Sequence, residues 1–299
     1  MKLFPYVEFK RGKGTSSKKE IIVFLAGFPD DAVSGWQPLV DRLLRNSDDN
    51  EEKDLHLICL CLPGYETGAA KMPLWGYTFF ELTQMMHATL EHLLPGDHVR
   101  YTLVLHDWGC FVGFLYQTYH PSKISRTVAL DVGFLQIEEA PLRHTLILIF
   151  YQSMFAISFI VSQLLGHLVG QCGFVLSLFF LSMLPFLSPC PHDRTPRPLS
   201  EISVEMCYPY YQMWKDIFTN KVLKAKFPQT PLLFMFGTKK NCMFHSPSFL
   251  KRIEAMPNSK WVSYDVGHWL HLYEVDQVTK EIEAFLRVPA TAVPVPAEG

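Results

Sequence analysis

Apolar, strand-like runs alternate with helix-patterned segments over both ends of this chain. That order predicts an α/β domain with a mostly parallel central sheet covered by helices on both faces. Three observations carry the prediction. Residues 21–26 form a continuous apolar run and residues 55–62 are apolar but for His56, as expected of strands buried on two sides. Residues 32–45 and 77–94 repeat apolar side chains at helical spacing. The alternation breaks off after Gly133 and resumes at Pro231, and from His144 to His192 the intervening stretch holds no Asp, Glu, Lys or Arg.

Taken in order, residues 3–10 read as an edge strand and residues 12–17 as the loop of a hairpin leading to the next strand. The run at 21–26 ends in Gly27-Phe28-Pro29-Asp30, a turn able to aim backbone N–H groups at the carboxyl edge of a sheet. Residues 47–53 form an acidic, solvated loop. The strand at 55–62 closes on Pro63-Gly64-Tyr65. In the helix at 77–94, Phe80, Leu82, Met85, Met86, Leu90 and Leu93 are the expected core contacts. Tyr101 to Gly113, YTLVLHDWGCFVG, reads as a strand, a sharp turn and a helix, with Asp107 at the apex. Residues 127–130 make the next strand, ending at Asp131. After the interruption come a strand at 231–236, a short helix at 246–255, a strand at 260–264, the turn Asp265-Val266-Gly267-His268-Trp269 and a closing helix at 274–286. Pro- and Ala-rich residues 288–299 read as a disordered tail. The implied division is a core in two parts, 1–134 and 228–287, a helical insertion at 135–227, and the tail.

At 299 residues with 48% hydrophobic and 19% charged side chains, the chain can build one large core with an insertion. A net charge of −2 gives no electrostatic footprint for nucleic acid. The 7 cysteines, several inside apolar runs, form neither a disulfide framework nor zinc-ligand spacing. With no apolar leader at the start, this predicts an intracellular protein, cytoplasmic or peripherally membrane-associated. The apolar runs at 146–161 and 174–187 admit two readings. A membrane span needs about 20 residues, and Ser162, Gln163, Gly166, His167, Gly170 and Gln171 interrupt these. A helical cap roofing a greasy pocket fits better, and its outer face is a candidate for contact with a membrane surface.

Loops at the carboxyl ends of parallel strands converge on one crevice. There Asp107 is the candidate nucleophile, a carboxylate that attacks carbon without prior deprotonation and leaves an alkyl ester on the enzyme. The competing reading makes Asp107 a helix N-cap. The N–H groups of Phe28 and Trp108 are candidates for an oxyanion hole. His268, after the final strand, is the candidate base for the water that opens the ester. No metal or cofactor is needed for such a scheme.

These motifs resemble the α/β-hydrolase fold, and within it the epoxide hydrolase and haloalkane dehalogenase branch. His106-Asp107-Trp108-Gly109 is similar to its nucleophile elbow, Gly27-Phe28-Pro29 to its oxyanion loop and Gly267-His268-Trp269 to its histidine motif. The chain departs from the pattern at three places. Leu105 stands where the elbow usually has glycine, and Ala26 where the loop usually opens with histidine. Gly237-Thr238-Lys239-Lys240 has no carboxylate where many members have Gly-x-x-Asp. Some relatives place the acid one strand earlier, which implies Asp131 as the partner of His268. The resemblance also implies a pair of cap tyrosines donating to the leaving oxygen, for which Tyr151 and Tyr211 are the candidates. Expected, then, is hydrolysis of a hydrophobic small molecule, an epoxide first. Trp108 and Trp214 keep carbon–halogen hydrolysis as an alternative, and an inactive scaffold binding lipid or membrane is another. No oligomeric state is implied.

Overall fold

The computed structural model describes residues 2–12, 19–45, 54–69, 71–191, 193 and 195–289. The expected acidic loop at 47–53 and nearly all of the expected tail lie outside them. A seven-stranded sheet carries the fold: β1 (Tyr6–Arg11), β2 (Lys19–Leu25), β3 (Asp54–Leu60), β4 (Tyr101–His106), β5 (Ile124–Leu130), β6 (Leu232–Gly237) and β7 (Lys260–Tyr264), in the spatial order β1-β3-β2-β4-β5-β6-β7. Every neighbouring pair is parallel except β1 and β3. Helices α1 (Gln37–Arg45), α2 (Phe79–Leu93) and α3 (Trp108–Tyr119) follow the first strands. The insertion carries α4 (Leu142–Leu165), α5 (His167–Met183) and α6 (Tyr208–Phe218). After β6 come α7 (Pro247–Glu254), α8 (Leu270–Tyr273) and α9 (Val275–Leu286).

The mostly parallel sheet agrees with the sequence pattern, but the expected hairpin does not form. β1 runs antiparallel to β3, pairing Tyr6 with Leu60 and Arg11 with Leu55, and never touches β2 in the sheet. Ile22, Val23, Phe24 and Leu25 in β2 are wholly buried, so that strand needs a neighbour on each side and lies between β3 and β4. The half-polar β1 tolerates one open edge and takes it. Adjacency along the chain loses to burial here.

Local side chains set two helix starts. α1 begins at Gln37 rather than near Ala32, because Asp31 Oδ1 accepts from Val33 N at 2.8 Å and Ser34 N at 2.7 Å and holds the preceding residues in a turn. α2 opens on a capping box, with Thr78 and Glu81 each satisfying the other's backbone N–H. Phe80, an expected core contact, instead faces outward and rests edge-on against Tyr119.

The first apolar run of the insertion extends into the longer helix α4. After a break at Gly166, where φ is 98°, α5 carries the second as far as Met183, and the run's last residues form a separate short turn at Pro185–Leu187. The 24 residues of α4 have the length and a mean hydropathy, 1.9, of a membrane span. Yet 44% of its apolar window is buried against the rest of the protein, so α4 lies along the domain. Its buried row, Ile147, Tyr151, Phe155, Phe159 and Ser162, repeats at helical spacing and faces the core.

Candidate active site

β4 delivers Asp107 to the carboxyl edge of the sheet in a sharp turn. Its φ of 53° and ψ of −129° lie outside the regions a side-chain-bearing residue normally occupies. Holding such a conformation costs on the order of 1–3 kcal/mol and requires the surroundings to over-determine it. They do so on two sides. Phe28 N–H donates to Asp107 Oδ1 at 2.7 Å. A Cβ on Gly27 would lie 2.2 Å from that same oxygen and 2.3 Å from Trp108 N, so only glycine lets the loop approach the elbow. Leu105, the bulky departure from the elbow pattern, is accommodated one helix turn later. Its methyls fill the place a Cβ on Gly113 would occupy, at 2.4 Å. As an N-cap Asp107 does nothing: its side chain makes no capping hydrogen bond to α3.

His268 reaches the elbow from beyond β7. Its Nε2 lies 3.4 Å from Asp107 Oδ2, and its Nδ1 lies 2.5 Å from Asp131 Oδ2. Asp131 stands at the end of β5 with φ 69°, its side chain sealed from solvent. The chain therefore brings together a carboxylate, an imidazole and a second carboxylate from the ends of β4, β7 and β5. Burial alone would depress the basicity of His268. The Asp131 charge and the hydrogen bonds to Asp107 and Asp131 outweigh it and raise the pKa to about 10.

Three further residues support this arrangement. Lys240 Nζ forms a buried ion pair with Asp131 Oδ1, which also accepts from Gly237 N at 3.0 Å. Burial would raise the Asp131 pKa, but the charges of Lys240 and His268 hold it below its ordinary value. Asp193, from the loop after α5, accepts from the backbone N–H of His268. His106 Nε2 lies 3.1 Å from the His268 carbonyl and donates to it. Burial and the neighbouring imidazoles of His268 and His271 keep His106 well below the usual histidine pKa, hence neutral. Behind it, Trp269 Nε1 donates to buried Asp30 at 2.8 Å. Burial raises Asp30 to about 7 against that bond, with the Asp107 charge adding to the rise.

The cap supplies an aromatic roof. Phe28 packs against Phe155 at 5.6 Å and Tyr210 at 5.6 Å, and Tyr210 stands edge-on to Trp108 at 5.0 Å and near Tyr151 at 6.1 Å. Burial raises the Tyr151 and Tyr210 phenols well above their ordinary pKa, and the nearby Asp107 charge raises both further, so both are protonated donors. Tyr211, the expected partner of Tyr151, lies elsewhere: its ring faces Trp75 at 5.2 Å and Phe159 at 5.4 Å. Neighbours on a helix point about 100° apart, and the phase of α6 turns Tyr210 inward. Trp214 stacks on Phe218, the last residue of α6, whose side chain is exposed.

No family model matches the chain. It is 25% identical over 222 residues to a cis-3-alkyl-4-alkyloxetan-2-one decarboxylase of Shewanella oneidensis, spanning 71% of this chain and 67% of that relative. The structure of juvenile hormone epoxide hydrolase from the silkworm Bombyx mori superposes with a TM-score of 0.61 at 15% identity, over 94% of this chain and 72% of the other. A Bacillus megaterium epoxide hydrolase matches with a TM-score of 0.60 at 17% identity, over 95% and 97%. A thermophilic esterase from Thermogutta terrifontis matches with 0.60 at 14%, over 96% and 94%. With its antiparallel edge strand, its sharp turn at Asp107 after β4 and its helical insertion, the chain has the α/β-hydrolase fold.

Proposed function

We propose that this protein is a hydrolase that opens a hydrophobic epoxide through an alkyl ester on Asp107. The observation that carries the reading is the division of labour between the two Asp107 oxygens. Oδ1 is held by Phe28 N–H at 2.7 Å, and Oδ2 is turned toward His268 Nε2 at 3.4 Å. Oδ2 attacks a ring carbon and the carbon–oxygen bond of the epoxide breaks. Tyr151 or Tyr210 gives its phenolic proton to the departing oxygen. Esterification removes the Asp107 charge that helped to hold His268 protonated, and the imidazolium returns a proton to the tyrosinate.

Neutral His268 then takes a proton from water, and the hydroxide attacks the ester carbonyl carbon. The Oδ1 oxyanion forms where Phe28 N–H already donates, with Trp108 N–H beside it. Collapse expels the diol oxygen, which takes the acid proton of the regenerated Asp107. The sum is epoxide plus water giving diol, with Asp107 ionised and His268 and the tyrosine protonated as at the start. Epoxide hydrolases among the solved structures of the same architecture support this reading. Carbon–halogen hydrolysis would ask Trp108 and Trp214 to bind halide together, and the stacking of Trp214 on Phe218 counts against it.

A single turnover of a long-chain aliphatic epoxide in water labelled with the heavy oxygen isotope tests the route. Expected is an unlabelled first-turnover diol, with one heavy oxygen in the peptide containing Asp107. Label appearing directly in that diol would refute the ester. Asp107→Ala should abolish turnover, and absence of turnover in the unaltered protein over a panel of epoxides, halides and esters would favour the inactive scaffold.

The two tyrosines give a second test. Tyr210→Phe should lower kcat by roughly 10²-fold, the usual scale for losing one donor to a developing oxyanion. Tyr211→Phe should leave it within about threefold, a structural change too remote to cost one pKa unit's worth of energy. Equal effects of the two changes would break the assignment.

A further inference from the structure

We infer that the outer face of the α4–α5 hairpin rests in the surface of a lipid bilayer, so that the roof of the active site is a membrane contact. The inference starts from how the two helices pack. Near the hairpin tip their mutual face holds small and hydroxyl-bearing residues, beside the aromatic pairs of Phe155 with Phe174 and Phe150 with Phe180. A Cβ on Gly170 would lie 2.3 Å from Ser162 Cβ, Gly173 faces Ser158, and Ser158 Oγ lies 3.4 Å from Ser177 Oγ. Each of these two serines satisfies its hydroxyl on a carbonyl one turn back, Ser158 on Met154 at 2.9 Å and Ser177 on Gly173 at 2.8 Å. Many further large apolar side chains point outward. Leu168 is 75% exposed, Phe179 61% and Leu176 65%, and Leu146, Ile157 and Leu165 line the outer side of α4.

A helix pair built for water covers its outer face with polar and charged side chains, whereas this one presents leucine and phenylalanine there while also burying Phe155, Phe159, Phe174 and Leu181. It is the arrangement of helices whose solvent is hydrocarbon. Small residues there allow close backbone approach, and hydroxyls bond within the helices. The sequence carries no Asp, Glu, Lys or Arg between His144 and His192, so nothing on this face offers the charged rim that fixes the register of a protein partner. A fluid apolar phase makes no such demand. The inner row of α4, with Tyr151 and Phe155, is committed to the core and to the site. The hairpin therefore lies on the bilayer rather than across it. The lipid face and the aromatic roof over Asp107 share α4 as their common wall.

Flotation of the full chain with vesicles of phosphatidylcholine alone is the test, at low and high salt. Contact through apolar side chains should carry the protein up with the vesicles at both ionic strengths. Leu168→Glu, Leu176→Glu and Phe179→Glu combined should cut the floated fraction by roughly tenfold or more, since binding scales with the apolar area inserted. Phe80→Glu, on α2 and outside the hairpin, should float like the unaltered protein. Circular dichroism and a melting curve verify that the triple variant keeps its fold. The inference is overturned if the unaltered protein stays with the bottom fraction. It also fails if the folded triple variant floats as well, or if binding needs anionic lipid and disappears in salt. A lipid-free dimer by light scattering that becomes a monomer in the triple variant, with neither form floating, would assign the face to a second copy.

Discussion

His268→Gln should stop the reaction halfway. Glutamine keeps the bulk of imidazole and a hydrogen bond toward Asp131 but takes no proton from water. Asp107 Oδ2 still attacks, because the carboxylate is already held by Phe28 N–H and needs no base. Removing a positioned general base lowers the affected step by about 10²–10⁴-fold. Alkylation then outruns hydrolysis, and the variant incubated with an aliphatic epoxide should gain the mass of one substrate molecule. Peptide mapping should place that mass on the fragment containing Asp107. The multiple-turnover rate should fall by about 10³-fold, while the first equivalent of epoxide is consumed quickly. A variant that consumes epoxide steadily with no adduct would remove His268 from the chemistry. An adduct on a peptide lacking Asp107 would remove the nucleophile. Asp107→Ala serves as the control and should acquire no mass.

Much of this site can be read from the chain before any coordinates, for a physical reason. A parallel sheet sends every strand end to one edge, so residues that close apolar runs are brought together whatever their separation in sequence. Asp107, Asp131 and His268 each stand just past such a run, and the fold places them within hydrogen-bonding reach in the order the strand ends imply. What the pattern does not carry is phase and packing. Whether Tyr210 or Tyr211 faces the site depends on where α6 begins and how it rolls on the core, and no local signal fixes that. The edge position of β1 is legible, but its pairing with β3 rather than β2 depends on what the other strands need, not on its own loop. Asp193 reaches the His268 backbone from a distant loop of the insertion, with no motif around it. Leu105 looks like an obstacle in sequence and is harmless in space, because Gly113 leaves the volume it fills. Lys240 did carry a signal. It occupies the fourth position of the Gly-x-x-Asp pattern, where the resembling family has its acid, and from that place its ammonium reaches the histidine's partner.

That substitution of sign gives the last expected result. Lys240 and His268 divide the Asp131 carboxylate between them, one cation on each oxygen, all inside the protein. Replacing the lysine with methionine keeps most of the stem and deletes the ammonium. Removing one partner of a buried ion pair costs about 3–5 kcal/mol when the other is left uncompensated. Here Asp131 keeps His268 and Gly237 N–H, so the lower end of that range is expected, read as a lowered midpoint in urea denaturation. The catalytic effect has a definite direction. In the proposed alkyl-enzyme Asp107 would be an uncharged ester, and the proton affinity of His268 would be set by Asp131 and by the lysine that competes for it. Deleting the competing cation strengthens the hold of Asp131 on the imidazolium and raises the His268 pKa. Water activation needs the neutral ring, so the acid limb of the kcat–pH profile should move to higher pH, by about one unit for the loss of a nearby charge. Lys240→Arg restores the charge and should return the limb toward its original position, which separates electrostatics from packing. The same lysine sets the acid sensitivity of folding. The depressed pKa of Asp131 stabilises the fold at neutral pH and that contribution is lost as pH falls through the folded-state value. The methionine variant, with a higher Asp131 pKa, should lose it sooner on acidification. An acid limb that stays put or moves downward in Lys240→Met would show that the buried lysine only fills space.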